Sequence, residues 1–354
     1  MLVTAFGVAT EYGGFGLQVV KALMSAVHPD GHFVPCNTLD ELKTSLSGRR
    51  VSSIFLYSEL PEKNLVLISR KVSSKSIVFY EDPRRVVEYA LDVRRRSFLE
   101  GVRLTSCNMA ALALPLANPE ALILPYAAIP SLEAMVAQII RYLGLQITQP
   151  QLDAVAAQLQ LDGERPFRRT LMDAMRRILP EEIIFHRRPD VLEPANADLV
   201  HAIIATREDI SPTGVTREMV WPNTLFLGQD NRRNVTACEG EWLEMVGPAR
   251  YLYFGPYLNL AAGVWSMKAE LRVRGNKSGG KAEFDILQDG ECLAIGSFDI
   301  PVQGVFEITS DIVNEHPEKP LEMRLLMKEG AIDGEIILDR VRWRHGESAF
   351  MQRA

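Results

Sequence analysis

Two short stretches and a group of aromatic residues hold the side chains that could do chemistry. Near the N-terminus, TEYGGFGLQVVKAL (residues 10–23) follows an apolar run and leads into a helical pattern. A turn of this kind can cradle a phosphate: glycines let backbone N–H groups approach the anion, and the helix N-terminus lends partial positive charge. Gly13, Gly14 and Gly16 are the candidates. The Lys and Ser or Thr that a nucleotide-binding loop sets at the helix start are missing, since Leu17 and Gln18 stand there and Glu11 adds a negative charge. A tight turn for helix packing is the competing reading. The second stretch, EDPRRVVEY, offers Arg84 as a further phosphate candidate beside Glu81 and Asp82. Of the histidines, only His28 and His32 lie close together, and Pro29 and Gly31 between them favour a turn over a shared helix face. No metal site, nucleophile elbow or zincin helix is expected, and no cofactor.

The second half carries a different chemistry. Trp242, Tyr251, Tyr253 and Tyr257 are platforms on which the apolar face of a sugar ring could lie while polar neighbours bond its hydroxyls. Arg272, Arg274, Arg340, Arg342 and Arg344 alternate with apolar residues, so they should share the polar face of their strands as a basic stripe suited to an acidic glycan. An ordinary solvated sheet face is the alternative. Trp265 and Trp343 fall on the apolar side and read as core. A further crowd of arginines, Arg85, Arg94, Arg95, Arg96, Arg165, Arg168, Arg169, Arg176, Arg177, Arg187 and Arg188, reads either as anion-binding or as helix faces paired with acids such as Glu88, Asp92 and Glu181.

These residues need scaffolds, and the chain is long enough, at 354 residues with 47% hydrophobic content, for two domains with cores of their own. Up to about Ile184, short apolar runs (LVTAFGVA, SSIFLYS, SIVFYE, ALILPYA) alternate with helical patterns (LQVVKALMSAV, NLVLISRKV, RRVVEYALDVRRRSFL, SLEAMVAQIIRYLGL). That alternation predicts an α/β domain over residues 1–185, a mainly parallel sheet flanked by helices. Residues 186–233 read as a connecting segment. From residue 234 to 347 the period shortens to two: VWSMKAELRVR sets Trp265, Met267, Ala269, Leu271 and Val273 on one face, and Asp289 with Gly290 marks a tight hairpin. This predicts an antiparallel jelly-roll β-sandwich. A net charge of -6 argues against nucleic acid as a partner. Four scattered cysteines, no basic leader and no long uncharged apolar run predict a cytoplasmic protein without a membrane span.

The order LVTAFGVATEYGGFGLQVVKALM, SIVFYEDPRRVVEYAL, AQIIRYLGLQITQPQLDAVA resembles the P-loop sulfotransferase family over about the first 160 residues. The resemblance implies a strand-loop-helix for the donor's 5'-phosphosulfate and a strand ending in an Arg-Asp-Pro-Arg-type segment, with a later Ser, for its 3'-phosphate. Asp82, Pro83 and Arg84 agree with that segment, but Glu81 replaces the Arg and Tyr89 the Ser. A carboxylate facing a phosphate opposes binding, so the donor site is expected to be lost. The stretch from residue 240 to about 345 resembles β-sandwich modules that accompany enzymes of bacterial surface-polysaccharide assembly, through Gly255, Pro256, Tyr257, Leu258, Gly263 and Trp265. Together these imply a carbohydrate-binding or accessory protein with a degenerate sulfotransferase-like domain, its partner a polysaccharide or oligosaccharide. A divergent sulfotransferase or other transferase is the rival expectation, and the sandwich as a homo-oligomer interface a third.

Overall fold

A computed structural model of the chain describes residues 2–48, 52–72, 75–184, 191–204, 218–230, 235–238 and 240–346. These fall into two compact units, one up to Ala197 and one from Asp198 onward. Arg187 and Arg188 lie outside the described residues, as do parts of the connecting segment.

The first unit contains strands β1 (Leu2–Gly7), β2 (His32–Pro35), β3 (Ile54–Ser58), β4 (Ser76–Tyr80) and β5 (Leu122–Pro125), paired in parallel in the order β2-β3-β1-β4-β5. Central β1 and β4 are apolar without alternation because both of their faces are buried. Helices α1 (Glu11–Val27), α2 (Leu39–Leu46), α3 (Lys63–Val72), α4 (Pro83–Asp92), α5 (Phe98–Leu116), α6 (Leu132–Leu143), α7 (Gln149–Gln158) and α8 (Leu171–Ile178) belong to this unit, and α9 (Pro194–Ile203) spans the division. The stretch read as one helix through RRVVEYALDVRRRSFL is two. Arg95 takes a left-handed conformation (φ 53°), and Ser97 restarts the chain with a capping box to Glu100. Sequence reasoning passed over short β2 and did not separate α5.

The second unit is an antiparallel sandwich. Its strands are β6 (Glu218–Pro222), β7 (Leu227–Gln229), β8 (Val235–Ala237), β9 (Leu243–Glu244), β10 (Arg250–Leu258), β11 (Gly263–Arg274), β12 (Lys281–Gln288), β13 (Glu291–Asp299), β14 (Gly304–Asn314), β15 (Leu321–Met327) and β16 (Glu335–His345). One sheet runs β13-β12-β15-β10-β7-β8, the other β14-β11-β16-β6 with β9 on β16. Strands β6 and β7 lie upstream of residue 234, inside the stretch read as a connecting segment. The expected alternation of β11 is present, with Trp265, Met267, Ala269, Leu271 and Val273 all buried. Trp343 is buried too, its ring centroid 5.1 Å from that of Trp221. The hairpin after β12 turns at Asp289 (φ 51°) and Gly290 (φ 83°).

Candidate functional site

Helix α1 begins at Glu11, so Gly13, Gly14 and Gly16 sit inside its first turns and not in a loop. Two of them are there for packing. A Cβ on Gly13 would collide with the Val8 carbonyl, and one on Gly16 with the Phe79 ring; at Gly14 there is open space. Gly13 and Gly16 therefore let α1 close onto the end of β1 and onto β4, the packing role that was the competing reading. Arg84 does not face α1 either. Its Nε bonds Glu88 at 3.2 Å along α4, while the Asp82 side chain caps α4 by accepting the Arg84 N–H at 2.8 Å.

What meets the N-terminus of α1 is acidic. The Glu11 and Glu81 side chains are fully buried, and Arg85 joins them, Nη2 donating to Glu11 Oε1 at 2.7 Å and Nε to Glu81 Oε1. Thr10 donates its hydroxyl to Glu81 Oε2. The Arg85 guanidinium also lies over the Tyr126 ring, 4.6 Å from its centroid. Glu11 Oε2 is buried and has no hydrogen-bond partner among the described residues. Burial pushes the Glu11 carboxyl up to about 7, and the nearby Glu81 charge adds to this, outweighing Arg85. Glu81 is raised as well, again mainly by burial. A further carboxyl, Glu59 after β3, is raised by burial and accepts the Tyr57 hydroxyl at 3.2 Å. The helix terminus that would attract a phosphate is thus occupied by the chain's own carboxylates, and its one guanidinium is engaged between them.

In the sandwich, the structure separates the sugar-binding candidates. Tyr253 is in the core, 1% exposed, its hydroxyl donating to the Ile336 carbonyl at 3.1 Å, so it offers no platform. Trp242, Arg272 and Arg342 belong to the outer side of the β14-β11-β16-β6 sheet. Every arginine of the expected stripe meets a carboxylate there: Arg272 with Asp339 through two bonds of 2.7 and 2.6 Å, Arg274 with Glu335, Arg340 and Arg342 with Glu270, and Arg344 with Glu218 at 4.0 Å. Arg272 and Arg274 cover the Trp242 ring, with guanidinium carbons 5.5 and 4.3 Å from its centroid. Five arginines thus meet four carboxylates, Glu270 being shared, so most of the charge of the stripe is compensated within the face.

The outer side of the other sheet differs. Strand β10 carries irregularities between Tyr251 and Tyr253 and between Pro256 and Leu258. These break strict alternation, so Tyr251, Phe254 and Tyr257 are the half-buried residues among buried neighbours. Phe254 is in register with Arg324 on β15, and Arg324 with Asp285 on β12. Arg324 grips Asp285 through both oxygens, at 2.8 and 2.5 Å, and its guanidinium carbon lies 4.9 Å from the Tyr251 ring centroid. Tyr257, in the left-handed region at φ 64°, donates its hydroxyl to Glu322 at 2.8 Å. Three aromatic rings thus share a sheet face with a guanidinium and two carboxylates. Sequence reasoning found Tyr251 and Tyr257 but missed Phe254, Asp285, Glu322 and Arg324. Alternation in LEMRLLMK and AEFDILQ would have put the last three on the polar side.

Among the described residues no cluster of three or more His, Cys, Asp or Glu could hold a metal, and no helix is long and apolar enough to cross a membrane. No protein-family model matches the chain, and no curated protein does. Solved structures match about a third of it. Dimeric latent PorU from Porphyromonas gingivalis is similar at 11% identity over 36% of this chain and 12% of that one, with a TM-score of 0.24. The CBM36-1 domain of a multidomain xylanase from the hindgut metagenome of Trinervitermes trinervoides is similar at 15% identity over 36% of this chain and 96% of that one, TM-score 0.24. A carbohydrate-binding module (CBM6cm-2) from Cellvibrio mixtus lichenase 5A, in complex with cellotriose, is similar at 13% identity over 34% and 84%, TM-score 0.19. The two modules match the β-sandwich part.

Proposed function

We propose that the protein binds a polysaccharide or oligosaccharide through the outer side of the β13-β12-β15-β10-β7-β8 sheet. The observation that carries this reading is the trio Tyr251, Phe254 and Tyr257, half-buried on β10 beside Arg324, Asp285 and Glu322. Ring faces supply the apolar contact that a pyranose needs, and the charged groups supply hydrogen bonds to its hydroxyls. The first unit supports an accessory role in this reading. Its resemblance to sulfotransferases is paired with a helix N-terminus filled by Glu11 and Glu81, which disfavours a phosphorylated donor. Synthesis or modification of a bacterial cell-surface polysaccharide is the setting that the two resemblances imply.

The test is titration of the full chain with soluble β-glucan, xylan, galactan, polygalacturonate and alginate. The expected result is binding to at least one of them, weakened about tenfold or more, about 1.4 kcal/mol, in Tyr251→Ala with Phe254→Ala. Arg272→Ala on the opposite sheet should leave the affinity unchanged. No binding across the panel, or binding indifferent to the β10 aromatics, would refute the reading.

A further inference from the structure

We infer that the aromatic sheet face takes an uncharged glycan and rejects acidic ones, with Glu322 as the specificity-determining residue; this rests on the glycan-binding reading above. The reasoning begins with which charges on that face are already engaged. Arg324 spends its Nε and Nη2 donors on Asp285, whose side chain is only 13% exposed. A ligand carboxylate could take those donors only by displacing Asp285 and leaving that largely buried carboxylate without its cation, and at the remaining N–H groups it would meet a guanidinium whose charge Asp285 already compensates. Lys328 is held by Glu283 at 2.7 Å, and Lys281 stands at the opposite end of β12 from Leu287, the residue in register with Glu322. Glu322 is different. It accepts the Tyr257 hydroxyl, and among the described residues no cation forms an ion pair with it.

The face therefore carries more carboxylates (Glu283, Asp285, Asp299, Glu322) than cations (Lys281, Arg324, Lys328), the excess being Glu322, opposite Pro256 in register and bonded to Tyr257. A carboxylate only accepts hydrogen bonds, so the group that meets Glu322 must donate, as a sugar hydroxyl does and the carboxylate of a uronate does not. An acidic sugar in the same place would add repulsion at short range. The opposite sheet offers no substitute, since its arginines are all paired.

Full-length protein and its Glu322→Gln variant would be titrated with the same panel at salt from about 50 to 500 mM, a range over which exposed charges become screened. Support is wild-type binding to a neutral glycan at least about tenfold tighter than to polygalacturonate or alginate, about 1.4 kcal/mol, with the gap narrowed in Glu322→Gln. Preference for either polyuronate, weakening with salt, would overturn the inference and leave glycan binding standing. An unchanged gap in Glu322→Gln would overturn the assignment of selectivity to that residue. Failure to bind any glycan would overturn both readings. Circular dichroism of the variant establishes that a change in the gap comes from a folded protein.

Discussion

Replacing Glu11 by Gln removes a buried carboxyl whose ionisation is pushed up into the neutral range. The Glu11 carboxyl titrates near 7 in the folded chain against an ordinary 4.5, because burial and Glu81 together outweigh Arg85. Between those two values the folded state holds a proton that the unfolded state has released. Folding takes up a proton there, and stability falls as pH rises. One pH unit in this window corresponds to about 1.4 kcal/mol, so about 3 kcal/mol is present below pH 4.5 and gone above pH 7. An amide stays neutral throughout, so the stability difference between Glu11→Gln and wild type should swing by about 3 kcal/mol in favour of the variant across this range and level off above it. Glu81 shifts in the same direction and its charge repels that of Glu11, so the swing belongs to the pair and not to Glu11 alone.

The molecule provides its own reference for this measurement. Helices α1 to α8 all belong to the first unit, whereas the four tryptophans, Trp221, Trp242, Trp265 and Trp343, belong to the second. Denaturant unfolding followed by circular dichroism at 222 nm reports the helices, and tryptophan fluorescence on the same samples reports the sandwich. The pH-dependent difference should be confined to the first signal. Parallel wild-type and Glu11→Gln curves by circular dichroism from pH 4.5 to 8 would refute the account of a proton held on Glu11.

Two further substitutions test the same region. Gly13→Ala and Gly16→Ala should each destabilise the first unit by about 1–3 kcal/mol, the cost of overpacking, whereas Gly14→Ala, in open space within a helix, should stabilise by about 0.5–1 kcal/mol; equal effects at all three in thermal melts would favour a shared ligand role instead. Arg85→Met should cost about 3–5 kcal/mol by leaving two buried carboxylates unpaired, and adding Glu11→Gln with Glu81→Gln should restore more than half of that in denaturant titrations.

Periodicity in the sequence was enough for the parallel sheet and for the sandwich, since both express burial directly: uninterrupted apolar runs in β1 and β4, strict alternation in β11. It was not enough where one residue changes the phase. The irregularities of β10 move Tyr253 inward and Phe254 outward, and no alternating template contains them. Arg84 and Arg85 are neighbours in sequence, yet only Arg85 faces α1. The i,i+4 spacing of Glu81 with Arg85, and of Arg84 with Glu88, was visible in the chain and would have suggested that division. The bond from Arg85 to Glu11 spans 74 residues and depends on β1 and β4 being adjacent, which the text alone did not reveal. The glycines misled for a related reason. Close packing and anion binding both call for a missing Cβ, and only the positions of Val8 and Phe79 tell them apart.

The two units solve the problem of charge in the same manner. In the first, one guanidinium is shared by two buried carboxyl groups, so an arriving phosphate would find the helix N-terminus filled and its cation already bound. In the second, the arginines of one sheet all lie against carboxylates, two of them sharing Glu270, and on the other sheet Arg324 is closed onto Asp285. Displacing Glu11, Glu81 or Asp285 from its arginine would strand a carboxylate that is largely shielded from water, which costs more than the new contact returns. In the proposed reading, recognition on the aromatic sheet face falls to groups that need no counter-ion: ring faces, and carboxylate oxygens that accept from hydroxyls. On the aromatic sheet those groups are Tyr251, Phe254, Tyr257 and Glu322. A ligand read in this way is bound by contact and hydrogen bonds over short distances, so its affinity should vary little with ionic strength, unlike that of any partner drawn in by charge.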